Sequence, residues 1–168
     1  MRRMRRRSGQ ATMEFALLYT GVALPLTFMI IFIGEMLWIW HSVNDFTRDG
    51  ARYAATHCWM ADGSNVVQYM QAHVPAMIDQ NQFQTGAAAI GVLYFAQDPV
   101  SGAMSPFSCN SGECSATCMP DAVSVSITNY QFLRFASFFK LPPVSIPPFT
   151  TSIHVESMGC DEQGICQP

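Results

Sequence analysis

The chain has 168 residues, enough for one domain with a modest hydrophobic core. Hydrophobic residues make up 49% and charged residues only 12%, about half the charged share of a typical soluble domain. This balance excludes a disordered chain and disfavours an ordinary cytosolic enzyme. The formal net charge is -3, but five of the nine basic residues lie within the first seven positions. The N-terminus therefore differs in kind from the remainder.

The segment after this basic leader predicts a membrane-spanning helix. Residues 15–34 carry no formal charge, and a helix of this length spans about 30 Å, the thickness of a hydrocarbon core. Trp38 and Trp40 follow, as in an interfacial aromatic belt, so the predicted transmembrane segment is residues 15–40. The arginines predict a cytoplasmic N-terminus and a periplasmic remainder. A signal peptide is disfavoured because its apolar region has roughly 7–15 residues and precedes a small-x-small cleavage site.

The helical pattern continues beyond the transmembrane segment on an amphipathic face. Its apolar positions are Val43, Phe46, Gly50, Tyr53 and Ala54. A continuous helix from Gln10 to about Thr56 would be about 70 Å long, with its inner half in a membrane or filament core and its outer half supporting a head. Asp49 and Arg52 are expected to pair weakly. Gly50 predicts close packing against a sheet, because glycine is otherwise a poor helix residue.

The N-terminal motifs resemble those of a known family. A basic leader ends at Gly9, Glu14 follows five residues later, and an apolar helix begins at Phe15; this order resembles a type IV prepilin signal. Two segments narrow the resemblance, namely Glu14-Phe15-Ala16-Leu17-Leu18 and Arg48-Asp49-Gly50-Ala51-Arg52-Tyr53-Ala54-Ala55. Together they are similar to TadE-like minor pilins (pseudopilins) of the tight-adherence, or Flp, pilus system, over roughly residues 5–56.

The resemblance implies that a prepilin peptidase cleaves between Gly9 and Gln10 and removes the cytoplasmic leader, residues 1–9. It also implies that Glu14 and Phe15 act in assembly. In a filament the new N-terminal amine would be buried among apolar helices, where an unpaired charge is unfavourable and a neighbour's carboxylate is the natural partner. The implied partners are the peptidase, other pilin or pseudopilin subunits, and the inner-membrane assembly platform.

The remaining residues, 58–168, predict a small α+β head. Ser64-Asn65 is expected to cap a helix that Pro75 ends. With the long helix, residues 10–57, packed on a small antiparallel sheet, the expected fold class is pilin-like α+β. The predicted strands are residues 87–96, which are apolar and expected to be buried, and residues 121–130 and 150–158, whose alternation indicates half-buried strands.

A phenylalanine-rich segment, residues 132–141, connects the last two predicted strands. Phe135, Phe138 and Phe139 either cover the core of the head as a lid or present a subunit-contact or membrane-surface patch. Replacement of Phe138 and Phe139 separates the two readings, because loss of folding indicates a lid and loss of assembly alone indicates a contact.

All six cysteines follow the membrane segment, and they are Cys58, Cys109, Cys114, Cys118, Cys160 and Cys166. An even number in the exported part predicts disulfides. Local spacing favours a Cys160–Cys166 bond and a bond from Cys109 to Cys114 or Cys118, with Cys58 joining the helix end to that loop. Zinc bound by the cysteines at 109, 114 and 118, with His57, is the alternative, although paired Cys-x2-Cys knuckles are absent.

We expect a non-enzymatic pilus component without a cofactor, a metal or a nucleic-acid partner. No nucleophile elbow, phosphate loop or Cys-x-x-Cys motif is found, and the four histidines are scattered. The protein would be a single-pass bacterial inner-membrane protein that takes part in assembling a Flp/Tad adherence pilus, with possible incorporation in it.

Removal of the leader leaves four basic and twelve acidic residues. The alternatives are an uncleaved periplasmic anchor that binds a partner through its head, and a membrane-tethered metal or thiol protein.

Overall fold

The computed structural model describes residues 9–109, 118–132, 142–155, 157–160 and 166. The chain divides into two compact units, the first ending at Trp38 and the second beginning at Ile39. The described part of the first unit is helical, and the second unit contains the sheet. A long apolar N-terminal helix followed by a small antiparallel sheet confirms the predicted α+β class.

The helix begins at Gln10, as predicted, five residues before the apolar run that starts at Phe15. It consists of α1 (Gln10–Leu18), a π-helical turn (Tyr19–Ala23) and α2 (Leu24–Thr56), which follow one another directly. Pro25 is the second residue of α2 and has no N–H to donate to the preceding turn. The π-helical turn, which is wider than an α-helical turn, ends two residues before Pro25. Such a turn is usual where the series of backbone hydrogen bonds along a helix is interrupted.

The outer part of α2, residues 39–56, supplies one wall of the core of the second unit. Its buried positions confirm the predicted amphipathic face, and they are Ile39, Val43, Phe46, Thr47, Gly50, Ala51 and Ala54. On the exposed face, Arg48 lies 3.4 Å from the carboxylate of Asp45. The predicted pair between Asp49 and Arg52 is wrong, since the ion pairs of the described residues do not include it; a spacing of three permits such a contact, but an exposed pair is too weak to hold two long side chains together.

Gly50 allows two helices to approach each other closely. A Cβ atom at this position would lie 2.9 Å from Met70 Cε and 3.1 Å from Met70 Cγ. Met70 is fully buried on α3 (Ser64–Ala72). The close contact predicted at Gly50 is present, but its partner is a helix and not the sheet.

The start of α3 is set by a glycine. Gly63 is the N-cap residue, with a left-handed φ of 65°, and Ser64 and Asn65 already lie in the helix. The predicted cap at Ser64-Asn65 is therefore wrong, because Gly63 adopts the conformation that turns the chain into the helix. Asp62 Oδ1 accepts from the Ser64 backbone N–H at 3.0 Å, and this bond holds the pKa of the Asp62 carboxyl below its usual range.

The described residues form a four-stranded antiparallel sheet in the order β2-β1-β3-β6 and a separate β4-β5 pair. The predicted strands correspond to β1, β3 and β6, whereas β2, β4 and β5 have only two or three residues each and were not predicted. The bounds are β1 (Ala89–Gln97), β2 (Met104–Pro106), β3 (Ala122–Thr128), β4 (Gln131–Phe132), β5 (Val144–Ser145) and β6 (Phe149–His154).

The two interior strands of the sheet differ in burial. β3 lies between β1 and β6, and its side chains Val123, Val125 and Ile127 are buried. Ala122 and Ser124, on its other face, are buried as well, so the expectation of a half-buried strand is wrong for β3. The expectation that β1 is a buried strand is wrong, since only Tyr94 of its nine residues is buried and Leu93 is 61% exposed. An apolar run identifies a strand but does not determine how many of its faces are covered.

A short helix, α4 (Gln80–Gln84), connects the β4-β5 pair to the core. Gln82 is buried, and its Nε2 donates to Gln131 O at 2.7 Å while its Oε1 accepts from Gln131 N at 2.8 Å. Phe83 packs edge-on against Phe46 of α2, with ring centroids 5.8 Å apart. This helix was not predicted, because five polar-rich residues carry no apolar periodicity.

Candidate processing and assembly site

Gly9 directly precedes α1 and has ordinary backbone angles. Its φ is -108° and its ψ is -12°, and a Cβ atom added to it would meet nothing within 4 Å among the described residues. Neither a left-handed conformation nor crowding therefore demands glycine here. A requirement for glycine at this position has to come from a partner that handles the chain.

The peptide bond between Gly9 and Gln10 lies at the entrance of the helix. Gly9 O accepts from Thr12 Oγ1 at 2.9 Å and from Met13 N at 3.3 Å. The longer of these bonds lies beyond the usual range for N–H···O hydrogen bonds and is correspondingly weak. A peptidase that attacks the Gly9 carbonyl has to release it from these two bonds, which requires opening only the first helical turn.

Glu14 lies one turn after Gln10 on the same face of α1. Its Oε1 accepts from Gln10 Nε2 at 3.1 Å, so the carboxylate is beside the residue that would become N-terminal after removal of the leader. Phe15 is 69% exposed, and its ring stacks on that of Tyr19 with centroids 6.2 Å apart. The predicted assembly residues Glu14 and Phe15 are thus both available to another molecule.

The first unit leaves most of its large apolar side chains uncovered. From Met13 to Leu37, many such side chains are 38–70% exposed. In the described part of the chain, one helix, within Gln10–Thr56, is long and apolar enough to cross a membrane. A surface of this kind requires lipid or other apolar helices around it.

The chain is similar in sequence to one known family over its N-terminal part. Residues 9–52 match the family model of TadE-like proteins. The match begins at the predicted cleavage glycine and includes most of the long helix, which confirms the resemblance inferred from the motifs. It indicates a role in the Tad pilus system and association with pilus assembly components, and the TadE-like family is membrane-associated. Comparisons with curated proteins and with solved structures gave no match.

Beyond the TadE-like segment, disulfides stabilise the head. The structure contains the bonds Cys109–Cys118 and Cys160–Cys166, and Cys58 is also disulfide-bonded. Both named bonds agree with the predicted disulfides, and Cys109 takes the second of its two proposed partners. Because the Cys109 and Cys118 sulfurs are bonded to each other, they are not thiolate ligands for zinc. The remaining predicted head residues, Cys114, Phe135, Phe138 and Phe139, lie outside the described residues.

A cavity of about 270 Å³ beside the end of the TadE-like segment was not predicted. The sequence marked Arg52 only as a partner for Asp49 and gave His154 no role. No spacing rule relates positions about one hundred residues apart, so only the fold brings them together. The described residues that line it are Arg52, Ala55, Thr56, Ile153, His154 and Ser157.

Proposed function

We propose that this protein is a minor pilin or pseudopilin that a prepilin peptidase processes and that takes part in assembly of a Flp/Tad adherence pilus. The observation that carries the proposal is the position of the TadE-like match, which begins at Gly9. Gly9 directly precedes the helix and lies five residues before Glu14. Since the described fold makes no demand for glycine at this position, recognition by a peptidase is a physical reason for one.

In this proposal the inner part of the helix, residues 15–40, spans the inner membrane. The five leader arginines favour a cytoplasmic N-terminus, and the head then lies in the periplasm. The disulfides of the head support this orientation, because such bonds form and persist in oxidising compartments. Extraction from the membrane into a pilus would replace lipid around the exposed apolar side chains by the helices of neighbouring subunits.

Glu14 has a specific role in that replacement. Cleavage creates a positively charged amine at Gln10, and burial of this amine among apolar helices is unfavourable unless a carboxylate lies nearby. The contact between Glu14 Oε1 and Gln10 Nε2, at 3.1 Å, places the carboxylate one turn from the new terminus. Glu14 can therefore neutralise the amine of its own chain or of a neighbour packed against the same face.

We propose a structural role for the head and not a catalytic one. Cys58, Cys109, Cys118, Cys160 and Cys166 are disulfide-bonded, which removes the thiolates that a thiol or metal enzyme would use. The partners would be the prepilin peptidase, other pilin or pseudopilin subunits and the assembly platform.

The test of processing is the intact mass and N-terminal peptide of the protein from its native cell. We expect the mature chain to start at Gln10. Gly9→Leu should retain the leader, whereas Gly21→Leu should not, although an added Cβ meets nothing within 4 Å at either glycine. Retention of Met1 in the unsubstituted protein would favour the uncleaved anchor, and cleavage beyond Trp40 would favour a secreted head.

The test of assembly is Glu14→Ala. We expect leader removal to remain largely intact and incorporation into sheared pili to fall, because the buried amine loses its counter-charge. Glu14→Gln should fail similarly, since it preserves size and hydrogen bonding but not charge. Normal incorporation of both variants would contradict this role for Glu14.

A further inference from the structure

The cavity of about 270 Å³ lies within the second unit and combines residues distant in the chain. The end of α2 contributes Arg52, Ala55 and Thr56, whereas β6 and the turn after it contribute the other side. Among the described residues, one permanent cation, an imidazole and two hydroxyl groups line the same cavity, together with apolar surface from Ala55 and Ile153.

Arg52 is exposed, and its guanidinium forms no ion pair or hydrogen bond within the described residues. Asp49, one turn before Arg52, forms no ion pair with it among the described residues, and the carboxylate of Asp45, two turns away, is shared by Arg48, at 3.4 Å, and His41, at 3.3 Å. A guanidinium presents a planar fork of N–H donors that matches the two oxygens of a carboxylate or the oxygens of a phosphate. Arg52 therefore offers unused anion-binding capacity directly to the cavity.

The opposite wall adds two more donors, the side chains of His154 and Ser157, and the backbone at or next to each of them is hydrogen-bonded. Val155 N donates to Asp121 O at 2.9 Å, next to His154, and Cys160 N donates to Ser157 O at 2.8 Å. His154 provides a ring N–H in either neutral tautomer or in the charged form, and Ser157 provides its hydroxyl. These bonds position both side chains at the cavity without occupying their donors.

The C-terminal end of a helix carries a partial negative charge, which opposes binding of an anion. At the end of α2 two carbonyls already accept hydrogen bonds. Arg52 O accepts from Thr56 Oγ1 at 3.0 Å, and Tyr53 O accepts from His57 N at 3.0 Å. These two bonds reduce the unfavourable charge of the helix end, and an anion in the cavity has the donors of Arg52, His154 and Ser157 around it.

We propose that this cavity binds a carboxylate group through Arg52, with His154 and Ser157 as further donors. Its volume is just below the range of about 300–1,000 Å³ typical of small-molecule pockets, which suits one acidic side chain or a small carboxylate. Beyond the leader the chain has twelve acidic and four basic residues. A second copy of the chain therefore offers many carboxylates and few competing cations. A second copy as the source of the bound carboxylate rests on the proposed function, in which subunits assemble with one another. A free small carboxylate is the other source.

The direct test uses the full chain in detergent micelles with 15N-labelled arginine and acetate as the probe. Titration with sodium acetate, against sodium chloride at the same ionic strength, should shift the Arg52 Nε–H resonance in a saturable manner. The Arg48 resonance, from the paired arginine one turn away, should not follow it. Arg52→Gln should weaken acetate binding by at least about tenfold, as expected for loss of a charge-assisted bond, and Arg48→Gln should leave it unchanged.

A second measurement, sedimentation of the same micelles, distinguishes the two sources. If Arg52→Gln weakens self-association and acetate competes with it, the carboxylate comes from a second copy. If acetate binds at Arg52 and self-association is unaffected by the substitution, the source is a free carboxylate. The proposal is overturned if the Arg52 resonance shows no saturable shift and Arg52→Gln leaves self-association unchanged, or if acetate binding survives this substitution. A retained leader would refute the proposed processing without altering either measurement.

Discussion

Replacement of Gly50 by alanine should destabilise the head, although alanine is the better helix former. In an exposed helix interior this change stabilises by about 1 kcal/mol. Here the new Cβ atom would lie 2.9 Å from Met70 Cε and 3.1 Å from Met70 Cγ. Met70 is fully buried, so its side chain has little room to yield, and overpacking of this kind costs about 1–3 kcal/mol. We expect a net destabilisation of about 1 kcal/mol.

The sign of this effect should reverse when the opposing side chain is removed. Met70→Ala alone should destabilise by about 2–5 kcal/mol, because it leaves a cavity in the core. In that background the Cβ atom of Gly50→Ala has space, and the substitution should stabilise by up to about 1 kcal/mol. Gly34→Ala is the matched control, since it makes the same change in the same helix where a Cβ atom meets nothing within 4 Å.

The assay is urea unfolding of the full chain in detergent micelles, followed by near-ultraviolet circular dichroism. The four members of the cycle, namely the unsubstituted chain, the two single variants and the double variant, give the coupling free energy between positions 50 and 70 directly. The reasoning is refuted if Gly50→Ala alone is as stable as the unsubstituted chain. It is also refuted if the substitution has the same effect in both backgrounds.

Two further predictions concern buried polar groups of the head. Gln82→Ala should lower the melting temperature, because it removes the partners of the Gln131 backbone N–H and C=O, at about 1–3 kcal/mol for each group left buried and unpaired. Gln80→Ala, at an exposed position of the same helix, should change little. Burial raises the pKa of Tyr94 from 10.0 to about 12, so the unfolded chain releases this proton first as the pH rises. The stability contribution of the neutral Tyr94 hydroxyl should therefore be complete below pH 10 and be lost between pH 10 and about 12, and Tyr94→Phe should abolish this component in unfolding experiments across that range.

The parts of the fold that could be predicted are those with a long periodic signal. The helix from Gln10 to Thr56 shows first an apolar run and then an apolar stripe, and β3 shows regular alternation. The segments β2, β4 and β5 have two or three residues each and are too short for any period to be visible. β2 pairs with the end of β1 across a short loop, and β4 pairs with β5, so their strand conformation follows from pairing and not from a pattern within the segments themselves.

The sequence correctly predicted a close contact at Gly50 but not the element that makes this contact. Gly50 signalled a close approach, but whether the approaching group belongs to a sheet or to a helix depends on the path of the chain between them. The same holds for the start of α3, where Ser64 is a good capping residue in isolation. Gly63 takes the cap because its left-handed φ of 65° fits the turn that leads into α3.

The local geometry around Gly9, Gln10 and Glu14 could be predicted, because it depends only on neighbours within one or two turns of a helix. Gly9, Gln10 and Glu14 are related by a spacing of at most five residues, and the contact between Gln10 and Glu14 follows from helical geometry. The cavity around Arg52 could not be predicted in this way. It depends on β6 lying opposite the end of α2, about one hundred residues away in the chain.

The segment Arg48-Asp49-Gly50-Ala51-Arg52-Tyr53-Ala54-Ala55, on which the resemblance partly rested, divides into two groups in the structure. Gly50, Ala51 and Ala54 are buried, and their small size allows the outer part of α2 to lie close to the elements it packs against. Arg52 is exposed and pairs with no acidic group among the described residues. Packing therefore accounts for the small residues but not for this arginine. The proposed carboxylate site does account for it, because a guanidinium without an ion pair among the described residues can still bind a carboxylate from outside, together with His154 and Ser157.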